Sequence, residues 1–210
     1  MQAGTGGRGV GKRRGRPARS ADGSRADRRT VAERLEAGEL TLEDATEKAR
    51  ETLLRMLAAA PKSRRELEQS LARKGYPEQV VTPLLDRFGD VGLVDDTGYA
   101  ELIVRTRHAE RGLARRAIAM ELRRRGIDEE TASQALEHVD PEGEREAAAE
   151  LARKHVRRTR GLDPQVRIRR AVGAIARKGH SPGIALEVVR EALAAEGEDV
   201  ADDVVAYDLN

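Results

Sequence analysis

The chain has 210 residues, 36% of them charged, 39% hydrophobic and only 2% aromatic, with no Trp and no Cys. So few aromatics argue against a β-sandwich or barrel, and the lack of Cys excludes disulfides, thiolate metal sites and a cysteine nucleophile. Net charge is +2, but residues 1–30 carry +7 and residues 196–210 carry −6. The longest apolar run, Met56 to Ala60, is five residues. A membrane helix needs about 20, so no membrane partner is expected. The basic N-terminus also lacks the apolar stretch of a secretory signal, and a cysteine-free chain suits a reducing compartment.

In chain order, the first feature is a Gly-, Ser- and Arg-rich stretch with almost nothing apolar. It cannot bury enough surface to offset its ordering entropy, so residues 1–40 are expected to be a disordered basic arm. Two readings stand for it: a solubilising extension, or a non-specific electrostatic hold on nucleic acid. The run Lys12-Arg13-Arg14-Gly15-Arg16-Pro17 resembles a single minor-groove AT-hook. The acidic residues 196–210 read as a frayed, solvated tail.

Between these ends the chain repeats itself. Leu71-Ala-Arg-Lys-Gly75, Leu122-Arg-Arg-Arg-Gly126 and Ile175-Ala-Arg-Lys-Gly179 align, with the glycines 51 and 53 residues apart. Four and eight residues before each Gly stand Leu71/Leu67, Leu122/Ile118 and Ile175/Ala171. Six, nine and ten residues after it stand Val81/Leu84/Leu85, Ala132/Ala135/Leu136 and Ala185/Val188/Val189. Spacings of three and four on both sides predict two amphipathic helices joined at a left-handed Gly. A basic residue before each Gly complements the helix dipole.

Ser63-Arg-Arg-Glu66 reads as a capping box, and Asp140-Pro141, Asp163-Pro164 and Ser181-Pro182 as N-caps followed by proline. Asp128 caps the helix after Gly126. Further helical stretches, Leu42 to Ala60, Asp96 to Glu110 and Glu142 to Arg158, precede the pairs. The fold class is therefore all-α: three tandem three-helix repeats at 41–94, 95–139 and 140–195, stacked into an elongated, curved, solenoid-like body.

No catalytic or cofactor motif appears. His108, His138, His155 and His180 form no metal box, and no phosphate-binding loop or nucleophile elbow is present. Asp95-Asp96 reads as a turn and N-cap. Neither enzyme activity nor a cofactor is expected. What remains is basic surface. The candidate contacts with partner or DNA, taken from charge clustering, are Arg73, Lys74, Arg111, Arg115, Arg116, Arg123, Arg124, Arg125, Arg157, Arg158, Arg160, Arg167, Arg169, Arg170, Arg177 and Lys178. A solvated face balanced by Glu is the plainer reading of many of them. The shortage of aromatics argues against base stacking on single strands.

Certain residues also resemble those of a known family. Pro61-Lys-Ser-Arg-Arg-Glu-Leu67, Leu71-Ala-Arg-Lys-Gly75, Asp86-Arg-Phe88, Gly92-Leu-Val-Asp-Asp96 with Tyr99-Ala, and Arg111-Gly112-Leu113 with Leu122-Arg-Arg-Arg-Gly126-Ile127 are similar to the RecX regulatory proteins. The resemblance spans about residues 43–195 and leaves the arm out. It implies an all-helical, cytoplasmic, non-enzymatic protein that binds the RecA recombinase, preferentially as its filament on DNA. It also implies lowered RecA ATPase, strand-exchange and co-protease activities. Some members of the family bind DNA directly, so single- or double-stranded DNA is a second expected partner. The chain is expected to be a monomer. Two other readings remain: a DNA-binding protein that affects RecA only by competing for DNA, and a helical scaffold for another partner.

Overall fold

The computed structural model describes residues 29–197. Among these residues the chain is helix and turn throughout. A short helix, α1 (Val31–Glu36), leads into α2 (Leu42–Ala59), α3 (Arg64–Arg73) and α4 (Glu78–Asp90). Then come α5 (Asp96–Arg105), extended by a π-helical turn (Thr106–Glu110), α6 (Arg115–Arg125) and α7 (Glu129–Leu136). The last three are α8 (Pro141–Arg158), α9 (Pro164–Ala176) and α10 (Pro182–Ala194).

The helix boundaries follow from local chemistry. Ser63 Oγ accepts the Glu66 N–H while the Glu66 carboxylate accepts the Ser63 N–H, completing the expected capping box. Asp95, Asp128, Asp140, Asp163 and Ser181 each cap the following helix with a side-chain oxygen. Gly75, Gly126 and Gly179 end the middle helices at φ 83°, 80° and 93°, a region in which a Cβ meets the backbone.

All fifteen apolar positions of the repeat are buried. They divide among three cores: one enclosed by α2–α4, one by α5–α7, one by α8–α10. Phe88 and Tyr99 belong to these cores, and Tyr76 packs at the edge of the first, its hydroxyl 3.2 Å from that of Thr52.

The boundary of the arm at residue 40 needs correction. Thr30 and Glu33 form a capping box for α1, Val31 and Leu35 pack on the first core, and Leu40 is buried in it. Val31 and Leu35, four apart on α1, and Leu40 in the turn after it hold the segment. Residues 1–28, with the AT-hook-like run, and the tail beyond Gly197 lie outside the described residues.

Candidate functional site: the joints and the basic surface

Successive units meet through one recurring joint. The start of the middle helix in one unit presses on the Gly turn of the next. Between units one and two, Ser63 Oγ donates to the Arg125 carbonyl, and a Cβ on Gly126 would stand 2.5 Å from Arg65 Cβ. Between units two and three, the Ala114 N–H donates to the Lys178 carbonyl at 3.0 Å, and a Cβ on Gly179 would stand 2.6 Å from Ala117 Cβ. His180, wholly buried, reinforces this second joint by donating Nε2–H to the Gly112 carbonyl at 2.9 Å. Glycine is needed there for two reasons at once, the left-handed turn and the close approach.

The first joint carries a charged network. Arg125 donates to Glu66 and to the Tyr99 hydroxyl, and also to Glu121. Glu121 in turn accepts a two-pronged contact from Arg107 at 2.8 Å through both oxygens. Chiefly through the Arg107 hydrogen bonds, the Glu121 carboxyl is held down to about 2. Burial and its contact with Glu66 push the Tyr99 phenol up. Asp96 accepts the Arg64 N–H at 2.8 Å across the joint, yet burial pushes its carboxyl above the usual carboxylate range.

The structure sorts the sixteen basic candidates. Arg167 is fully buried, donating to the Val156 carbonyl at 2.8 Å and to Glu196 at 2.7 Å, so it is an internal strut and leaves the contact set. Arg125 belongs to the joint network. Arg115, although exposed, caps the end of α7 by donating to the Leu136 carbonyl at 2.6 Å. Arg123 pairs with Glu129 and Arg160 with Glu196. Arg73, Lys74, Arg111, Arg116, Arg124, Arg157, Arg158, Arg169, Arg170, Arg177 and Lys178 have no ion-pair partner among the described residues, and all but Lys178 are exposed.

Four cations of the third unit act on one imidazole. Lys154 and Arg158 share α8 with the half-buried His155, and Arg177 and Lys178 lie just past α9. Burial first and these four charges second hold the imidazole below its ordinary value. Lys154 and His155 went unflagged in the sequence because the cluster forms across two helices. Only α8's end, Lys154-His155-Val156-Arg157-Arg158, hinted at it. No cluster of His and carboxylates able to hold a metal occurs among the described residues. No helix there is long and apolar enough to cross a membrane.

The comparison with known proteins bears on the whole row of units. A regulatory protein RecX from Thermobifida fusca is 47% identical over 163 residues, covering 78% of this chain and 88% of that one. The chain belongs to the RecX family. The RecX relative from Streptomyces coelicolor is 45% identical over 170 residues, covering 81% of this chain and 90% of its own length. The family's first three-helix domain matches residues 49–88 and its second matches residues 95–136. RecX from Lactobacillus salivarius shares the fold at a TM-score of 0.62, with 24% identity over 71% of this chain and 97% of that one. A second RecX crystal structure gives 0.62 with 27% identity, over 74% of this chain and 76% of its own. RecX membership makes this chain a regulatory protein.

Proposed function

We propose that this chain regulates the RecA recombinase by binding it, mainly as its nucleoprotein filament, and lowering its ATPase, strand-exchange and co-protease activities. It acts as a non-enzymatic partner, as a monomer, in the cytoplasm. The observation that carries this reading is the row of three like units in a RecX chain. A row held by one repeated joint offers similar positions at regular intervals. A helical polymer of identical subunits offers the complement, and several weak contacts along one path add as avidity. The partnerless cations form the proposed contact set, for acidic subunit surface or for DNA phosphate.

Co-sedimentation tests the proposal. RecA filaments are assembled on single-stranded DNA with a non-hydrolysable nucleotide, and bare DNA serves as the reference. The chain is expected to pellet with filaments at a salt concentration that releases it from bare DNA. Equal pelleting with both, lost together as salt rises, would support competition for DNA instead.

A further inference from the structure

We propose that the exposed faces of the three middle helices form one arginine track, and that its ligand is the phosphate backbone of duplex DNA, held without regard to base sequence. The track consists of Arg65, Arg73, Arg116, Arg124, Arg169 and Arg177. It narrows the contact set given above to one face and one ligand, and it rests on the geometry of the joints rather than on RecA.

The repeat places these arginines. One stands ten residues before each Gly (Arg65, Arg116, Arg169) and one stands two before it (Arg73, Arg124, Arg177). Both share a helix face with the positions six and three before the Gly, and no Asp or Glu occupies those positions in any unit. All six are exposed, and none has an ion-pair partner among the described residues, whereas the neighbouring Arg64, Arg123 and Arg125 are paired with Asp86, Glu129 and Glu66. Helix stability does not account for Arg65 and Arg116. They are the second residues of α3 and α6, where the positive end of the dipole disfavours a cation.

The joints string the arginines into a line. Arg65 packs its stem on Gly126, two residues past Arg124, and Ala117, next to Arg116, packs on Gly179, two residues past Arg177. Each joint therefore brings an arginine from each of its two units to one turn of the chain. From Ala117 to Gly126, the two joints lie about 14 Å apart along α6. From Arg65 to Gly75, where α1 sits, α3 spans about 15 Å. The chemistry of the face selects the ligand. Guanidinium forks suit phosphate oxygens. A protein partner would need apolar or aromatic anchors, and of the large apolar side chains on these three helices only Met120 is exposed. Single strands stack their bases on aromatics, and the three helices carry no Phe, Tyr or Trp. A duplex needs neither, because its backbone is a stiff, evenly charged rail.

Fluorescence anisotropy on the full chain, without RecA, tests the track against a labelled duplex of about 24 base pairs, roughly 80 Å long. Arg73→Gln, Arg124→Gln and Arg177→Gln together are expected to weaken binding at least about tenfold at roughly 0.1 M NaCl, and to flatten the slope of log K against log salt by about 2–3. Arg55→Gln, Arg87→Gln and Arg105→Gln remove the same charge from exposed, unpaired positions off the track. That second triple variant is expected to change affinity less than about threefold, because distant charges are screened. Residues 1–28 are present in every sample and cancel in the comparison. A single strand of the same length is expected to bind more weakly than the duplex. Equal losses from the two triple variants, no loss from the first, or a single strand bound as tightly as the duplex would overturn the proposal. With RecA absent, failure here leaves the proposed function to its own co-sedimentation test.

Discussion

The backbone N–H of Ala32 donates to the carbonyl oxygen of Gly75 at 2.9 Å, and a Cβ on Gly75 would stand 2.6 Å from Thr30 Cβ. The same close approach of a helix start to a glycine joins units one and two at Gly126, and units two and three at Gly179, where the accepting carbonyl belongs to the residue before the glycine. The helix α1 therefore stands where the middle helix of a preceding unit would stand, and it closes the exposed end of the row as capping segments do in other repeat arrays.

Truncation distinguishes the cap from the arm. A chain beginning at residue 29 keeps the joint, and its thermal midpoint is expected to match that of the full chain. A chain beginning at residue 41 loses the packing of Val31, Leu35 and Leu40. Its stability is expected to fall by about 2–3 kcal/mol, read by thermal melting. Equal midpoints for the two truncations would remove α1 from the folded body.

The joint glycine makes a second test. Gly126→Ala meets both a left-handed backbone and the Arg65 side chain, whereas Gly161→Ala has a similar φ of 81° with open space around it. Gly161→Ala is expected to cost about 1 kcal/mol, the strain of the backbone alone. Gly126→Ala is expected to cost at least about 2 kcal/mol more, because Arg65 Cβ cannot swing away. Denaturant unfolding of the two variants measures the difference.

The Arg125 network links units one and two. Arg125→Met leaves Glu66 without its ion pair, while Glu121 keeps Arg107, and the expected loss is about 1–2 kcal/mol. Calorimetry is expected to resolve a separate, earlier transition for the first unit. A single unshifted transition would mean that the network contributes nothing to coupling.

Glu121 and His155 contribute to acid sensitivity with defined signs. The Glu121 carboxyl is held down to about 2 in the folded chain against an ordinary 4.5. It therefore stabilises the fold above about pH 4.5 and loses that contribution as pH falls toward 2. Its worth is on the order of 3 kcal/mol. Glu121→Gln is expected to flatten the stability profile over that window. His155 is held below its ordinary 6.5. Above 6.5 it is neutral in both states, and below that the unfolded chain takes up the proton first, so stability falls with acidification. His155→Gln is expected to remove that slope, measured by chemical denaturation between about pH 7 and 5.

The fold was legible because the repeat places its apolar residues at three- and four-residue spacings around a Gly, and each of those positions is buried. The caps were legible because Ser63, Asp128, Asp140, Asp163 and Ser181 act on their own chain neighbours. The helix α1 was not, since six residues holding Val31 and Leu35 carry too little periodicity to stand out beside a Gly- and Arg-rich arm. The candidate surface was legible only as a list of charges. Sequence adjacency cannot separate Arg167, aimed inward at Glu196 from 29 residues away, from its exposed neighbours Arg169 and Arg170. Nor does it show that Arg177 and Arg158 act on one imidazole, because α8 and α9 come together only in the fold.

RecA's single-stranded-DNA-dependent ATPase, titrated with the full chain and with residues 29–210 at two salt concentrations, is the measurement to make first. The expected result is equal inhibition by both forms, below one chain per RecA subunit and persisting at the higher salt. An ATPase untouched at several-fold molar excess, or inhibition that needs residues 1–28 and vanishes with salt, would contradict a direct action of the three-unit body on the filament.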